Sequence, residues 1–299
     1  MVDWLRADFG LAVVELRAAG GSDSAAQVWQ AVTADGARYA VKWTSGGSAA
    51  GILLPATLAL RGMPVHLRTV GGAWWSDRDG RRLSVAGWVA GRSGVDWEGV
   101  GDLLRRLHAV PVDAGPTLPA DDGARRAVDA VALVESRLAT ADDPVGREAA
   151  EHWRAIGPRV SAAVALAEAH PPVAVPVICH GDPHLGNVVL SAEGPVLVDW
   201  DDAVVAAPER DLALLLGGMG RFGARTDRER GRLLDGYGSQ PDEGRLTFYR
   251  CVRAVEDAGL WLADALDTGA PADERSRALA IARDVAAPGG LLPLALEPL

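Results

Sequence analysis

The chain has 299 residues, enough for one large domain or two lobes, and its 48% hydrophobic and 23% charged residues are the balance of a globular protein. A formal net charge of −10 disfavours a nucleic-acid-binding protein, which would need a basic face, and is compatible with a cationic small-molecule partner. The two cysteines form no CxxC pair, which argues against a zinc site or a disulfide framework.

The sequence predicts a cytoplasmic protein. Asp3 and Asp8 interrupt the N-terminal segment, so we expect no signal peptide. No uncharged apolar run comes close to the ~18 residues that a membrane span needs, so we expect no membrane partner. We also expect no nucleic-acid partner, and a monomer or weak dimer.

Residues 1–91 are predicted to form a small, mostly antiparallel lobe. Apolar segments on either side of GGSDS (residues 20–24) predict a β-hairpin, and the alternation in ARYAVKW, after a turn at TADG, predicts a third strand. LLPATLALRGMPV predicts a short helix that ends at Gly62 and Pro64. Two more strands are predicted in LRTVGGAWWSDRDGRRLSVAGWVAG, with turns at Gly-Gly and Asp-Gly.

After Gly91 the pattern changes to helical spacing, and residues 92–299 are predicted to form a larger, mainly helical lobe. Helices are predicted at residues 97–110, 124–140, 145–170 and most of 211–286, with a break near 236–244. Two short apolar runs, PVAVPVICH and GPVLVDW, flank a polar loop. The sequence therefore predicts an α+β fold of two lobes with a hinge at about residues 86–91.

Two residue types occur once each in the chain. Asn187 is its only asparagine. Lys42, on the third predicted strand, is its only lysine, and all the other residues in the Lys plus Arg count of 30 are arginine. A composition that otherwise avoids both types indicates that these two positions need them. We therefore expect chemistry that requires an asparagine and a lysine.

The spacing around Asn187 matches the phosphoryl-transfer pattern H-x-D-x-x-x-x-N, through His180 and Asp182. Asp199 follows an apolar run, as a strand-borne metal ligand does in that pattern. A four-residue loop can turn the carboxylate of Asp182 and the amide of Asn187 toward one pocket. A carboxylate and an amide oxygen suit Mg²⁺, and Lys42 would act as a point charge on the nucleotide phosphates.

The pattern HGDPHLGN…VLVDWDD resembles the aminoglycoside phosphotransferase family, whose fold is that of protein kinases, over most of the chain. The stretches LRTVGGAWW, APERDLALL and FYRCVRAVED are loosely similar to its spectinomycin-phosphorylating branch. By this resemblance Asp182 is the catalytic base, Asn187 and Asp199 hold Mg²⁺, and His180 orients the loop.

The resemblance also implies a nucleotide site for ATP or GTP. LSVAGWVAG resembles the hinge that holds adenine, so the Gly87 carbonyl and the Val89 amide are expected to bind it. The sequence departs from the kinase GxGxxG pattern, so Ser22 and Ser24 are expected to contact phosphate through hydroxyl and backbone N–H groups. A P-loop kinase is excluded, because the sequence has no Walker A motif.

A second departure concerns the partner of Lys42. Kinases pair this lysine with a helix glutamate, but no acid occurs between Lys42 and Asp77. Either another residue, Asp199 among the candidates, orients Lys42, or the phosphates alone do so.

The acceptor is expected to be a cationic aminoglycoside or aminocyclitol antibiotic. Glu256 and Asp257 lie on a predicted C-terminal helix, where this family binds antibiotics. Asp201 and Asp202 face substrate or form a solvated turn, and His184 contacts phosphate or braces the loop. The alternatives are a metabolic kinase for choline, homoserine or a sugar, a kinase for a basic peptide antibiotic, and a nucleotide-binding module without activity.

Overall fold

The computed structural model describes residues 1–19, 26–140, 142–170, 174–217 and 225–298. The chain divides into two compact units. Unit 1 comprises Met1–Pro119 and Ile178–Val205, and unit 2 comprises Ala120–Val177 and Ala206–Leu299. The units are defined by contacts within the chain, whereas the predicted boundary at residue 91 is placed at the hinge expected to bind the nucleotide. That boundary therefore stays a prediction.

Unit 1 is built on a five-stranded antiparallel sheet with the strand order β1-β2-β3-β5-β4. The elements up to the end of this sheet are α1 (Val2–Phe9), β1 (Val13–Ala18), β2 (Ala26–Thr33), β3 (Arg38–Thr44), α2 (Ala50–Leu58), β4 (Ser76–Arg78) and β5 (Arg81–Gly87). The predicted pairing of the first two strands and the predicted third strand are confirmed, while the predicted GGSDS turn lies outside the described residues. Strand β3 lies at the centre of the sheet, where its backbone pairs with a strand on each side.

The remaining elements of this region follow the sheet in sequence. They are α3 (Trp97–His108), β6 (Val177–Cys179), β7 (Val188–Ser191), β8 (Gly194–Leu197) and β9 (Val204–Ala206). Strands β7 and β8 form an antiparallel hairpin, and β6 pairs with β9. The two predicted apolar runs are confirmed as β6 and β8, while β7 and β9 were not predicted.

One face of the sheet is closed by α1, which the sequence analysis did not predict. Leu5 and Phe9, one turn apart on α1, pack with Val41 and Leu83 in a continuous apolar cluster. The helix stops at Gly10, whose φ of +67° is the left-handed conformation of a helix C-cap. The central strands are therefore anchored on a rigid apolar layer.

Two predicted elements have different bounds in the structure. Helix α2 ends at Leu58, before the predicted stop at Gly62, because Ala59 adopts a left-handed φ of +48°. The segment LRTV is not a strand; His66, just before it, forms a single bridge with Ala86, and β4 starts only at Ser76. The predicted Asp-Gly turn is confirmed, with positive φ at both central residues.

Unit 2 is helical in the part of it that the structure describes, apart from short connections. Its helices are α4 (Arg125–Leu138), α5 (Pro144–Ala169), α6 (Glu209–Gly217), α7 (Asp227–Tyr237), α8 (Glu243–Leu266), α9 (Ala272–Ala286) and α10 (Leu291–Leu296). Helix α8 is the central element and packs against α4, α5 and α9. Gly259 on α8 meets Ala130 on α4 so closely that a Cβ at position 259 would lie 2.8 Å from the Ala130 Cβ.

One stretch of the described chain, Ala272–Leu296, is long and apolar enough to be considered as a membrane span. It is divided into α9 and α10 by the turn at residues 287–290, and half of its apolar window is buried within the protein. Core helices have the same properties, so this stretch is weak evidence for a membrane span.

Candidate active site

Lys42 lies on the central strand β3, between Val28 on β2 and Ser84 on β5. Its Nζ donates hydrogen bonds to Asp199 Oδ1 at 2.6 Å and to Asp201 Oδ2 at 2.9 Å. Burial alone would lower the pKa of Lys42, but the two carboxylates outweigh it and the pKa is raised. Lys42 is therefore charged at neutral pH and is held by two aspartates that the sequence separates from it by 157 and 159 residues.

The two aspartates differ in environment. The Asp199 side chain is 49% exposed, whereas that of Asp201 is 22% exposed. Burial raises the pKa of Asp201, and the Lys42 ammonium offsets this rise only in part. Asp199 itself adopts a left-handed φ of +64°, unusual for a residue with a side chain. The more exposed carboxylate is thus the one that a ligand can reach.

Two glycines, Gly47 in the loop after β3 and Gly51 in the first turn of α2, allow the chain to approach this acidic turn. A Cβ on Gly47 would overlap the Asp201 carboxylate, and one on Gly51 would lie 2.7 Å from the carbonyl oxygen of Trp200. The Ser48 N–H donates to the backbone oxygen of Asp201 at 3.3 Å. The segment SGGSAAG therefore fits around the aspartates only because it lacks side chains at these positions.

His180 is fully buried and fixes the loop of residues 180–187 through both ring nitrogens. Its Nδ1 accepts the N–H of Asp182 at 3.3 Å, so a neutral ring carries its proton on Nε2, which donates to the Val198 oxygen at 3.0 Å. The ring also packs against the buried indole of Trp200, with centroids 4.5 Å apart. These contacts agree with the structural role predicted for His180, which stays a prediction.

Gly181 explains why glycine follows this histidine. Its φ is +88°, and a Cβ would overlap the backbone carbonyl oxygen of Asp202. Any other residue here would force the loop and the acidic turn apart. The backbone of Asp202 therefore packs directly against the loop at Gly181.

The β7–β8 hairpin brings Asn187 and Asp199 to the same end of two paired strands. Val188 pairs with Leu197, and the Val198 N–H donates to the backbone oxygen of Asn187 at 2.9 Å, so Asp199 follows directly. The Asn187 Nδ2 donates to the Asp182 backbone oxygen at 2.9 Å. Since the amide nitrogen is engaged, the amide oxygen is the ligand atom that Asn187 can offer.

Asp182 and His184 face each other within the loop. His184 Nε2 lies 3.7 Å from Asp182 Oδ2, while its Nδ1 accepts the Gly186 N–H at 2.9 Å. The Asp182 side chain is only 15% exposed. These contacts agree with a bracing role for His184, and the choice between its two predicted roles stays a prediction.

The structure provides less information on the predicted nucleotide contacts. Gly87 is the last residue of β5, its N–H donates to Val65 O at 2.9 Å, and Val89 lies in the loop that follows. Ser22 and Ser24 lie outside the described residues. The adenine and serine contacts therefore stay predictions.

A sequence profile of the phosphotransferase enzyme family matches residues 21–249, which is most of the chain and includes each residue of the site described above. The chain belongs to the phosphotransferase enzyme family. The predicted family and the predicted enzyme class are confirmed by this match.

Similar proteins agree with this assignment. Streptomycin 3''-kinase of Streptomyces griseus is 32% identical over 194 residues, which are 59% of this phosphotransferase and 69% of that protein. The crystal structure of spectinomycin phosphotransferase in complex with ADP and spectinomycin has a TM-score of 0.83 at 20% identity, covering 98% of this chain and 96% of that one.

Macrolide 2'-phosphotransferase from Brachybacterium faecium has a TM-score of 0.57 at 18% identity, over 89% and 91% of the two chains. These structural similarities confirm the predicted α+β, protein-kinase-like fold. The phosphotransferase is thus similar to antibiotic-modifying kinases.

The acids predicted to bind substrate have other partners in this phosphotransferase. The Glu256 carboxylate lies 3.5 Å from the guanidinium of Arg126. The Asp257 carboxylate lies 2.9 Å from the guanidinium of Arg253, one turn earlier on α8. Asp201, also predicted to face substrate or to form a solvated turn, binds Lys42, and its contact with substrate stays a prediction. The contacts of Glu256 and Asp201 join distant segments, so a sequence pattern does not reveal them. Arg253 and Asp257, in contrast, are four residues apart on one helix and form a local pair.

Sequence reasoning also missed two features around Lys42. The glycines of SGGSAAG were not singled out, although three glycines within seven residues between a strand and a helix are a signal of close backbone approach. His66 was not considered either. Burial, together with the charge of Lys42, lowers the pKa of His66 to about 4.

Proposed function

We propose that this phosphotransferase transfers the γ-phosphoryl group of ATP, or of GTP, to a hydroxyl group of a cationic aminoglycoside or aminocyclitol antibiotic and so confers resistance. The observation that carries the proposal is that unit 1 joins Lys42 to Asp199 and Asn187 to Asp182 by hydrogen bonds. Streptomycin 3''-kinase and spectinomycin phosphotransferase, to which the chain is similar, support this class of acceptor.

Asp182 is the proposed general base. Its carboxylate accepts the hydroxyl proton while the hydroxyl oxygen bonds to the γ-phosphorus, and the bond from that phosphorus to the bridging oxygen of ADP breaks. The hydrogen bonds from Asp182 N–H to His180 and from Asn187 to the Asp182 oxygen support the role, because they fix the backbone on which the base is carried.

Asn187 and Asp199 are the proposed holders of Mg²⁺. Both offer hard oxygen atoms from one end of the β7–β8 hairpin, and Asp199 is half-exposed, so the donor set fits this ion. When bound, Mg²⁺ would neutralise charge on the phosphate oxygens. Asn187 adds no negative charge beside the nucleotide, which is the advantage of an amide here.

Lys42 is the proposed phosphate contact, because it presents a charged ammonium from the centre of the sheet. The Gly87 carbonyl and the Val89 amide remain the proposed adenine contacts, and Ser22 and Ser24 the proposed loop contacts. Because the enzyme would consume ATP, we place it in the cytoplasm, where ATP is available. We also expect a monomer or weak dimer.

On the acceptor side, Glu256, Asp257 and Asp202 remain proposed contacts for ammonium groups. Because Arg126 and Arg253 already accompany the first two, a substrate cation must compete with these arginines. We therefore expect the acceptor site to use them only if the arginines turn away.

The decisive experiment is to incubate the protein with Mg-ATP and, separately, Mg-GTP, together with aminocyclitols, aminoglycosides, basic peptide antibiotics and choline, and to detect the phosphorylated product by mass spectrometry. Asp182→Asn serves as the inactive control, and Glu193→Gln, an exposed charge change on the β7–β8 turn, as the active one. We expect product with a cationic antibiotic. Thermal stabilisation by nucleotide without any product would instead identify a binding module.

A further inference from the structure

The lysine of this site lacks the partner that kinases give it. In kinases the ion pair between the strand lysine and a helix glutamate must form before phosphoryl transfer is possible. Helix α2 follows the lysine strand here, but its sequence AGILLPATL contains no acid. Another residue must therefore keep Lys42 in place.

Of the two carboxylates on Lys42, Asp201 is better suited to that task. It is the more buried of the two, so water competes less for the ion pair. Gly47 lies directly against the Asp201 carboxylate, and the Ser48 N–H donates to the Asp201 backbone oxygen, so both leave this aspartate little room to move. Asp199 is more exposed and is the residue proposed to bind Mg²⁺, which would draw it away from the lysine.

We propose that Asp201 is the positioning residue that holds Lys42 for the nucleotide phosphates and thereby leaves Asp199 for the metal ion. It takes the part that the helix glutamate has in kinases, from a turn that follows β8. This inference rests on the proposed function, because Lys42 has phosphates to contact only if the protein binds a nucleotide.

The first test measures nucleotide affinity by isothermal titration, which needs no acceptor. Asp201→Asn keeps the shape of the side chain but removes its charge, and we expect about tenfold weaker binding of Mg-ADP, the loss of one charge-assisted hydrogen bond. Binding of adenosine, which has no phosphate, should be unchanged. Glu193→Gln is the matched control and should bind both ligands as the wild type does.

The second test asks whether Asp201 acts through Lys42. In a Lys42→Met background, Asp201→Asn should no longer weaken Mg-ADP binding, because the group that it positions is gone. If the tenfold loss persists in that background, Asp201 acts on the metal ion or on the fold, and the proposal is overturned.

A third variant disturbs the contact between Lys42 and Asp201 without changing a charge. Gly47→Ala places a methyl group against the Asp201 carboxylate and should displace it from Lys42. Gly47→Ala should weaken Mg-ADP binding more in the wild-type protein than in the Asp201→Asn variant. In that variant the ion pair is already lost, so only the backbone strain of the alanine remains. Equal effects in both backgrounds would contradict the proposal.

The outcomes distinguish a failure of the proposed function from a failure of the role proposed for Asp201. If the wild type binds neither ATP nor ADP, the proposed function fails. If the wild type binds them and Asp201→Asn binds them equally well, with an unchanged melting temperature, only the role of Asp201 is refuted.

Discussion

At the scale of single residues, the loop of residues 180–187 owes its shape to backbone contacts rather than to charge. His180 accepts one N–H and donates to a carbonyl, and Asn187 donates to another carbonyl. These hydrogen bonds tie the loop to itself and to Val198, just after β8. The side chain of Asp182 can therefore be changed without loss of the loop.

Asp182→Asn tests the proposed base at that point. We expect kcat to fall by roughly two or more decades, because the amide cannot accept the hydroxyl proton, while nucleotide affinity stays the same. Steady-state kinetics and titration with ADP measure the two quantities. Near-normal turnover would show that another group accepts the proton.

Asn187→Ala tests the proposed metal ligand. Loss of the amide oxygen should raise the Mg²⁺ concentration needed for half-maximal activity, on the order of tenfold, by analogy with the loss of one charge-assisted contact. The variant also loses the hydrogen bond to the Asp182 backbone oxygen, so the loss of a metal ligand must be distinguished from a disturbance of the loop. That disturbance would lower kcat at saturating Mg²⁺ with an unchanged midpoint, which would argue against the metal role.

The residues of the loop could be predicted from the sequence because their relation is local. Asp182 and Asn187 are five residues apart, and a short loop leaves few ways to arrange them. The contact between Lys42 and Asp201 joins positions 159 residues apart and depends on two glycines that let the backbones meet. No spacing rule contains that information.

At the scale of elements, close packing of α8 on α4 makes Gly259 a sensitive position. Gly259→Ala adds a methyl group 2.8 Å from the Ala130 Cβ and 3.0 Å from its backbone carbon, which cannot move aside easily. We expect a loss of about 1–3 kcal/mol of unfolding free energy, as for other overpacked sites. Urea denaturation measures it.

Gly231 on α7 provides the matched control, because a Cβ there would meet nothing within 4 Å. Gly231→Ala should stabilise the protein by about 0.5–1 kcal/mol, the difference in helix propensity. If the two substitutions stabilise equally, helix α8 has room that the structure does not indicate.

The sequence predicted the long helices and the central strands well, and the short or irregular elements poorly. Helices α5 and α8 have sustained apolar spacing over many turns. Helix α1 spans only Val2–Phe9, too short for a strong periodic signal, although Gly10 marks its end. The end of α2 is invisible to sequence rules, because Ala59 adopts a conformation that they assign to glycine.

At the scale of the whole molecule, stability should depend on pH through His66. Its pKa is about 4 in the folded protein against an ordinary 6.5, so between these values the unfolded chain binds more protons. Stability from this group is complete above about pH 6.5 and is lost as the pH falls toward 4, on the order of 2–3 kcal/mol.

His66→Gln removes the titrating group and should flatten this part of the profile. Urea denaturation of wild type and variant at a series of pH values from 7.5 to 4 measures the difference. Parallel profiles would show that His66 is protonated as readily in the folded protein as in the unfolded chain.

The composition of α2 also bears on how such an enzyme is controlled. Protein kinases are switched off when the helix that carries the glutamate moves away and the lysine loses its partner. Helix α2 carries no acid to withdraw, and the partners of Lys42 lie on the turn after β8. With Asp201 in its proposed role, this enzyme has no inactive state of that kind.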